Sequence, residues 1–449
     1  MKTLRGILDY FRLKRQYKYS AKNIERYQLK ALKDIVSYAK DKSPFYRDLY
    51  EDMTLETLDD FYKLPTINKQ IMMDNFTDLN TCGIIKEDVS DYAVMREAER
   101  DHLHYYRNRY VVGLSSGTSG NKGIYITDRQ LTERLPFVFL ARSGISLRLL
   151  PFKILFMLRV FSQGFDDINS PFISLSYLST MEPLDQVIDR INTLKINILM
   201  APPSMVNRIL PRVNEITADI KLVVTYAEVL SQEEKVKFKQ AFASQVIEIY
   251  QASEGQMASA CKHGHLHINE DLVFVELYDE EGKSVTQPGK VGHKMIITNL
   301  VNYAQPLIRY EMNDLIVLDD KCPCGSNFRR IKQVLGRHDD ILYFYKGEGK
   351  EIQYVFPDLF VRWIIVTSDT IREFKVIQDH INSITVKVDL MDSDTGIENR
   401  LKAKLTSELG RFEIFKPEIT IVQETIRLPR ERNKFKRFES HVEMPRLQV

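Results

Sequence analysis

The stretch "GLSSGTSGNK" (Gly113 to Lys122) places three glycines and four hydroxyl residues ahead of a lysine. Small residues let a backbone approach a ligand closely, and successive N–H groups with hydroxyls suit phosphate oxygens, with Lys122 as a point charge. No GK[ST] closes the stretch, so it is not a Walker loop. A Gly/Ser-rich hairpin would use the same residues. A second constellation joins Cys261, His263, His265 and His267 in "CKHGHLHIN" with Cys322 and Cys324 in "CPCG". On a strand, the i, i+2 spacing puts all three histidines on one face. Thiolates and imidazole together suit tetrahedral Zn²⁺, and full ligation would make the ion structural. Ordinary buried thiols beside a solvated histidine cluster are the other reading. Cys82 stands apart from both groups.

The elements that must hold these residues follow from periodicity. The runs "RNRYVVGL" and "GIYIT" on either side of the glycine-rich stretch are β-rich. From about Tyr105 to Val301, short apolar runs such as "FKILFML", "INILMAPP", "IKLVVTYAEVL" and "QVIEIYQ" alternate with helical patterns such as "SQEEKVKFKQAF". That alternation predicts βαβ units and a mainly parallel sheet, in which ligands bind where strands end. From Asp271 to Asp319 the pattern turns to strand-turn-strand, which predicts an antiparallel or barrel-like portion. After Gly336 a small α+β unit follows, with strands near "EFKVIQ" and "SITVKVDL" and a helix in "GIENRLKAKLTSEL". Residues 20–76 read as helical and then loop-like, punctuated by "SPFY" and "LPTINK".

Composition bounds the classes. A chain of 449 residues with 44% hydrophobic and 28% charged residues can bury a sizeable core in two or three units. A formal charge of +2 without a basic stripe argues against a nucleic-acid partner. Four cysteines are too few for a disulfide scaffold and fit a reducing, cytoplasmic setting. No apolar run approaches the roughly 20 residues of a membrane span. The start, "MKTLRGILDYFRLKRQ", carries Leu4, Ile7, Leu8 and Phe11 at helical spacing, with Asp9 interrupting any signal-peptide core. It predicts a helix docked on the body, with a membrane-surface helix as the alternative.

Read together, five short segments resemble motifs of the adenylate-forming superfamily of acyl-CoA synthetases, adenylation domains and luciferases. "SSGTSGNKG" is similar to the phosphate loop SSGTTGxPKG, one residue shorter and without the proline, which would make Ser115, Ser116, Gly117, Thr118, Ser119, Gly120 and Lys122 nucleotide contacts. "YQASEG" resembles YGxTE, which implies that Tyr250 stacks near the adenine and Glu254 holds Mg²⁺; a polar turn is the plain reading of that glutamate. "QPLIRYEMNDL" resembles PxxRYxxxD, whose acid binds the ribose hydroxyls, here Asp314. "GRHDD" matches GRxDD, implying Arg337 as a nucleotide contact and Asp339 as a hinge. "PRERNKFKRF" resembles the segment supplying the catalytic lysine, with Asn433 in place of glycine, Lys434 as the candidate and Lys436 in reserve. Five such matches in order are far more specific than any one.

The resemblance implies the adenylate-forming α/β fold, with a large ATP- and substrate-binding domain over 1–338 that includes a barrel-like part, and a small mobile α+β domain over 339–449. It further places Ala227, Glu228, Gln251 and Ser253 at the nucleotide and Tyr226, Ala227, Gln251 and Ala252 along the substrate. Its cofactors are ATP and Mg²⁺, and catalysis falls to Lys434, Glu254 and Arg337. Narrower likenesses point to phenylacetate-CoA ligase-like proteins and to the CapK-like branch related to deazaflavin coenzyme synthetases: "LPTINK", "AEVL", "CKHGHLHINED", "CPCGS" and "VFPD". Relatives with a Cys…GLH and a CxCG segment suggest Cys261, His267, Cys322 and Cys324 as the zinc ligands. The implied reaction is adenylation of a small carboxylic acid with release of pyrophosphate, then transfer to coenzyme A, a carrier-protein thiol or an amine. The alternative is an adenylyltransferase that leaves AMP on a hydroxyl. A homodimer is compatible with either.

Overall fold

The structure, a computed structural model, describes residues 2–99, 105–114, 123–145, 149–158, 171–180, 182–348, 351–368, 370–426 and 436–442. Among them the largest sheet has ten strands. Five are mutually parallel, in the spatial order Gln245–Ala252, Leu222–Thr225, Ile198–Met200, Phe152–Leu158 and Ile173–Ser179. The other five continue antiparallel from Gln245–Ala252 through Gly255–Ala260, Leu266–Ile268, Arg330–Arg337, Asp314–Asp319 and Val291–Gly292. The strand Gln245–Ala252 is therefore the seam, with a parallel neighbour on one side and an antiparallel one on the other.

The parallel strands are apolar throughout because both faces are covered. Val223 and Val246 pack with Val187, Ile191, Val206 and Phe238 from the helices Leu184–Thr193, Pro203–Ile209 and Gln232–Phe242. On the opposite face, Leu222, Val224 and Ile247 pack toward Phe139 and Leu140 of the helix Leu135–Arg142. Successive residues thus serve opposite layers, as a pleated strand requires.

The antiparallel portion expected after Asp271 includes a three-stranded sheet, Val273–Tyr278, Lys294–Asn299 and Tyr310–Met312. Helix Ala21–Lys42 buries Ile24, Gln28, Leu32, Ile35, Val36 and Ala39, a helical periodicity, and the core it joins includes Tyr46, Phe61, Ile297 and Tyr310. Arg309 locks this region together. Its guanidinium grips Glu276 at 3.1 and 2.9 Å and donates to the carbonyls of Tyr62 and Leu64.

A separate core belongs to the C-terminal part. A four-stranded sheet in the order Glu418–Gln423, Ser383–Leu390, Ile371–His380, Phe438–Ser440 is backed by helices Pro357–Thr367 and Ile397–Gly410 around Phe360, Phe374, Val386 and Leu405.

The first helix, Lys2–Gln16, docks on the body, but not by the apolar row expected from the sequence. Leu8 and Phe11 are 63% and 62% exposed, whereas Gly6, Asp9, Leu13 and Gln16 face inward. The reason is local: a Cβ on Gly6 would lie 2.1 Å from the Phe137 ring, so only glycine admits this approach. Asp9 then pairs with Arg12 at 2.7 Å and Arg134 at 3.5 Å. Arg142, fully buried, holds Asp271 at 2.6 Å and donates to the Leu13 carbonyl. No described helix is long and apolar enough to cross a membrane.

Candidate active site

Tyr110–Leu114 and Ile124–Asp128 form an antiparallel hairpin, so the glycine-rich stretch links two paired strands. Residues 115–122 themselves, and with them Ser115, Ser116, Gly117, Thr118, Ser119, Gly120 and Lys122, lie outside the described residues, as do Asn433 and Lys434. The returning strand delivers Tyr125, whose hydroxyl donates to Glu254 Oε1 at 2.8 Å and meets the Tyr310 hydroxyl at 3.0 Å.

Glu254 sits in the turn where the strand Gln245–Ala252 ends and reverses into Gly255–Ala260. The turn is pressed against the neighbouring sheet. A Cβ on Gly255 would come within 3.0 Å of Asn299 Nδ2, and that amide donates to the Glu254 carbonyl at 2.8 Å. Burial raises the pKa of the Glu254 carboxyl; the Tyr125 hydrogen bond opposes the rise, and the Asp314 carboxylate adds to it. The carboxylate thus stands at the carboxyl end of a sheet strand, on the seam where the strand direction changes, the position at which open α/β sheets bind ligands.

Asp314 and Arg337 face each other in register across two antiparallel strands, with Arg337 Nε 3.5 Å from Asp314 Oδ1. Burial disfavours the Arg337 charge, but the carboxylates of Asp314, Asp340 and Glu254 outweigh it. The Tyr250 hydroxyl is buried beside the Asp314 carboxylate, and burial together with that carboxylate holds it neutral. Asn313 donates to Asp339 Oδ2 at 2.9 Å and its carbonyl accepts from His338 N at 2.7 Å, which fixes the short turn His338–Asp340.

A further cation enters from the N-terminal region. The Ile67 N–H bonds the Arg309 carbonyl at 3.0 Å and the Glu311 N–H bonds the Ile67 carbonyl at 2.8 Å, so "LPTINK" runs beside the strand carrying Tyr310. Asn68 caps the next turn through Ile71 N at 2.9 Å. Lys69, half-buried, is thereby placed where the charges of Glu254, Arg337 and Asp339 act on it, with burial lowering its pKa. The sequence reading used "LPTINK" as punctuation and missed this lysine. Its signal, a lysine just past a proline turn, is too common to single out.

Of the expected substrate walls, Tyr226 is buried, stacks on Phe156 with ring centroids 5.3 Å apart, and donates to the Met157 and Met200 carbonyls, closing the ends of two parallel strands. Ala227 is exposed at φ 66°, a left-handed conformation uncommon for alanine and concentrated at functional turns. Glu228 turns its carboxylate to Ser204, accepting from its N at 2.9 Å and its Oγ at 2.8 Å. Gln251 and Ser253 are exposed and Ala252 is half-buried.

The Cys/His constellation lies apart from this turn. Ligand atoms of Cys261, His267, Cys322 and Cys324 all fall within 4.8 Å of one another. Cys261 and Cys322 sulfurs are 3.8 Å apart, and Cys324 Sγ is 3.6 Å from His267 Nε2. A tetrahedron with Zn–S bonds of about 2.3 Å has edges of about 3.8 Å. His267 Nδ1 is 3.0 Å from the Phe328 carbonyl, which sets the tautomer that leaves Nε2 as the ligand atom, and burial keeps the imidazole neutral. The expected single face of three histidines is corrected: only Leu266–Ile268 is strand, a tight turn through Gly264 reverses the chain, and His263 is exposed. His265 Nδ1 approaches Cys322 Sγ at 3.2 Å.

No family model matches the chain. It is 32% identical over 106 residues to a phenylacetate-coenzyme A ligase of Thermus thermophilus, so the match spans 22% of this chain and about a quarter (24%) of the length of that relative. Among solved structures, 2-hydroxyisobutyryl-CoA ligase in its postadenylation state, in complex with 2-HIB-AMP, aligns with a TM-score of 0.71 over 94% of this chain and 90% of that one, at 15% identity. The fold is that of the adenylate-forming ligases. The same ligase in its thioesterification state, with 2-HIB-AMP and CoA, gives a TM-score of 0.59. An anthranilate CoA ligase in complex with anthranoyl-AMP gives 0.54 over 73% of this chain and 65% of that chain, at 16% identity. In this adenylate-forming fold the Glu254 carboxyl feels the charges of both Asp314 and Arg337, so the strand-end turn and that pair belong to one site.

Proposed function

We propose that this chain is an ATP-dependent acid ligase that forms an acyl-adenylate and passes the acyl or aryl group to a thiol, with coenzyme A the acceptor. The observation that carries the reading is the position of Glu254: a carboxylate at a strand end, oriented by Tyr125 from the hairpin bearing the glycine-rich stretch, near the Asp314–Arg337 pair.

In the first step a carboxylate oxygen of the acid attacks the α-phosphorus of ATP, the bond to the bridging oxygen of the β-phosphate breaks, and pyrophosphate leaves with that oxygen. Catalysis is then mostly positioning and charge stabilisation. Asp314 is suited to the ribose hydroxyls and Tyr250 to the adenine face. Arg337 and Lys434 are suited to the phosphates, with Lys436 in reserve. In the second step the thiolate attacks the acyl carbon and AMP departs with the oxygen that came from the acid.

Glu254 fits a Mg²⁺ ligand, since that ion takes one or two protein carboxylates together with phosphate oxygens. When bound, it would neutralise charge on the phosphates. Cys261, His267, Cys322 and Cys324 fit structural zinc by donor type and spacing. Three thiolates held this way suit a reducing, cytoplasmic compartment. The separate C-terminal core supports a small unit beginning near residue 339, with Asp339 as its hinge.

The test is pyrophosphate release from ATP and Mg²⁺ across a panel of aryl, fatty, amino and hydroxy acids, with and without coenzyme A. Acid-dependent release that Glu254→Gln and Lys434→Ala abolish supports the ligase. Release accompanied by a stable AMP ester on a hydroxyl would replace it with an adenylyltransferase.

A further inference from the structure

The C-terminal core meets the rest of the protein along a narrow seam. Helix Gln232–Phe242 packs against helix Pro357–Thr367, and helix Pro203–Ile209 packs against strand Ile371–His380. At the rim Arg362 pairs with Glu233 at 3.0 Å. Exposed pairs of this kind are worth little.

At the centre of the seam lies a different arrangement. Arg437, with only 9% of its side chain exposed, is held by Glu373 of its own unit at 2.8 Å and extends Nη1 to 3.4 Å from Glu234 Oε1 across the boundary. Its guanidinium carbon lies 5.1 Å over the Phe374 ring, which orients the fork. Glu234 has no exposed side-chain surface and is itself fixed. As the third residue of its helix it accepts from Ser231 N at 3.1 Å, and it also accepts from Asn207 Nδ2 at 2.9 Å. It cannot follow Arg437 if the units part.

The backbone gives this contact its meaning. The Arg437 carbonyl accepts from Val376 N at 2.7 Å, and Phe438 pairs with Val376, so Arg437 is anchored to the sheet of the small unit. Lys434 lies three positions earlier in the sequence. We propose that Arg437 is a positioning residue that latches the small unit to the large one through Glu234, and so fixes the anchor of the lysine-bearing segment against the large unit. On separation Arg437 would keep Glu373, while Glu234 would lose its only cross-boundary guanidinium among the described residues. The latch is therefore specific to this arrangement of units. Its kinetic consequence rests on the acid-ligase reading; its structural consequence does not.

The experiment is a pulsed electron-resonance distance measurement on the full chain, with spin labels carried by p-acetylphenylalanine at positions 239 and 402, so that the native cysteines stay untouched. Both positions are exposed, one on each unit. The wild type should show one dominant distance. Glu234→Gln keeps the oxygen that accepts from Ser231 or Asn207 but removes the charge, and should shift the ratio of arrangements by about 10-fold, seen as a second distance. Glu373→Gln, at a residue whose hydrogen bonds go to Phe374 and Arg437 of its own unit, should leave the single distance. An unchanged distance in Glu234→Gln, or the same change in both variants, would overturn the latch. Should Glu234→Gln not fold, Arg437→Gln is read by the same criterion. Once an acid is known, Glu234→Gln should slow ATP–pyrophosphate exchange about 10-fold more than thioester formation from supplied acyl-adenylate. Equal loss in both would mean a merely structural role.

Discussion

Tyr125 and Glu254, 129 residues apart in the chain, are joined by a hydrogen bond of 2.8 Å that ties the glycine-rich hairpin to the strand-end turn. Partners that orient a metal-binding carboxylate typically govern metal affinity by about 10- to 100-fold. Tyr125→Phe should therefore raise the Mg²⁺ concentration needed for half-maximal activity by about 10-fold or more. The hydrogen bond lowers the Glu254 pKa against the effect of burial. Its loss raises that pKa further, so the acidic limb of the pH–rate profile, where activity appears as Glu254 ionises, should move to higher pH. An unmoved limb would show that Glu254 does not govern it.

Lys69 enters the same site from a turn near the N-terminus and shares its electrostatics with Glu254, Arg337 and Asp339. A half-buried ammonium there is suited to an anionic oxygen of the nucleotide. Lys69→Met should weaken ATP binding about 10-fold, the scale of one charged hydrogen bond, with melting temperature nearly unchanged. Titration of ATP by calorimetry checks this without knowledge of the acid.

The Cys/His cluster also holds the first helix. Tyr17 lies 3.7 Å from Cys324 Sγ through its hydroxyl, its ring meets His267 edge-on at 5.8 Å, and Ser326 donates to the Tyr17 carbonyl at 2.8 Å. Protein purified without chelator should contain about one zinc per chain. Removing it should lower the melting temperature and open the exposed Lys14 and Arg15 to trypsin. Less than half an equivalent of zinc, or an unchanged tryptic pattern, would contradict the assignment.

Glu248, on the seam strand that leads to Glu254, has its pKa pushed up to about 7 by burial, with Lys235 opposing the shift. A folded pKa above the unfolded one means that the protonated form is favoured in the native state. This stabilisation is complete below the ordinary glutamate range and is lost as pH rises toward 7, with a slope of at most about 1.4 kcal/mol per pH unit. Glu248→Gln should flatten the decline in stability between about pH 4.5 and 7, measured by urea unfolding at several pH values.

Where function was readable from sequence, the signal was local. The apolar runs that became Leu222–Thr225 and Gln245–Ala252, and the turn "ASEG" between two strands, are set by neighbours in the chain. The first helix shows the limit of that logic: its apolar row Leu8 and Phe11 faces outward because Gly6 lets the opposite face meet Phe137. The three histidines likewise lose their common face to one turn at Gly264. Tyr125, Lys69 and Arg437 went unnoticed because each acquires its role from a partner more than a hundred residues away, such as Glu254 for Tyr125 or Glu234 for Arg437. Spacing carries no information about such pairs.

The most direct test of the central claim follows one oxygen. With an acid identified from the panel and labelled with ¹⁸O in its carboxylate, full turnover with ATP and coenzyme A should yield AMP carrying one ¹⁸O, because the attacking carboxylate oxygen stays on phosphorus when the thiolate takes the acyl group. Unlabelled AMP, or a stable AMP ester on a hydroxyl compound, would contradict acid activation by this chain.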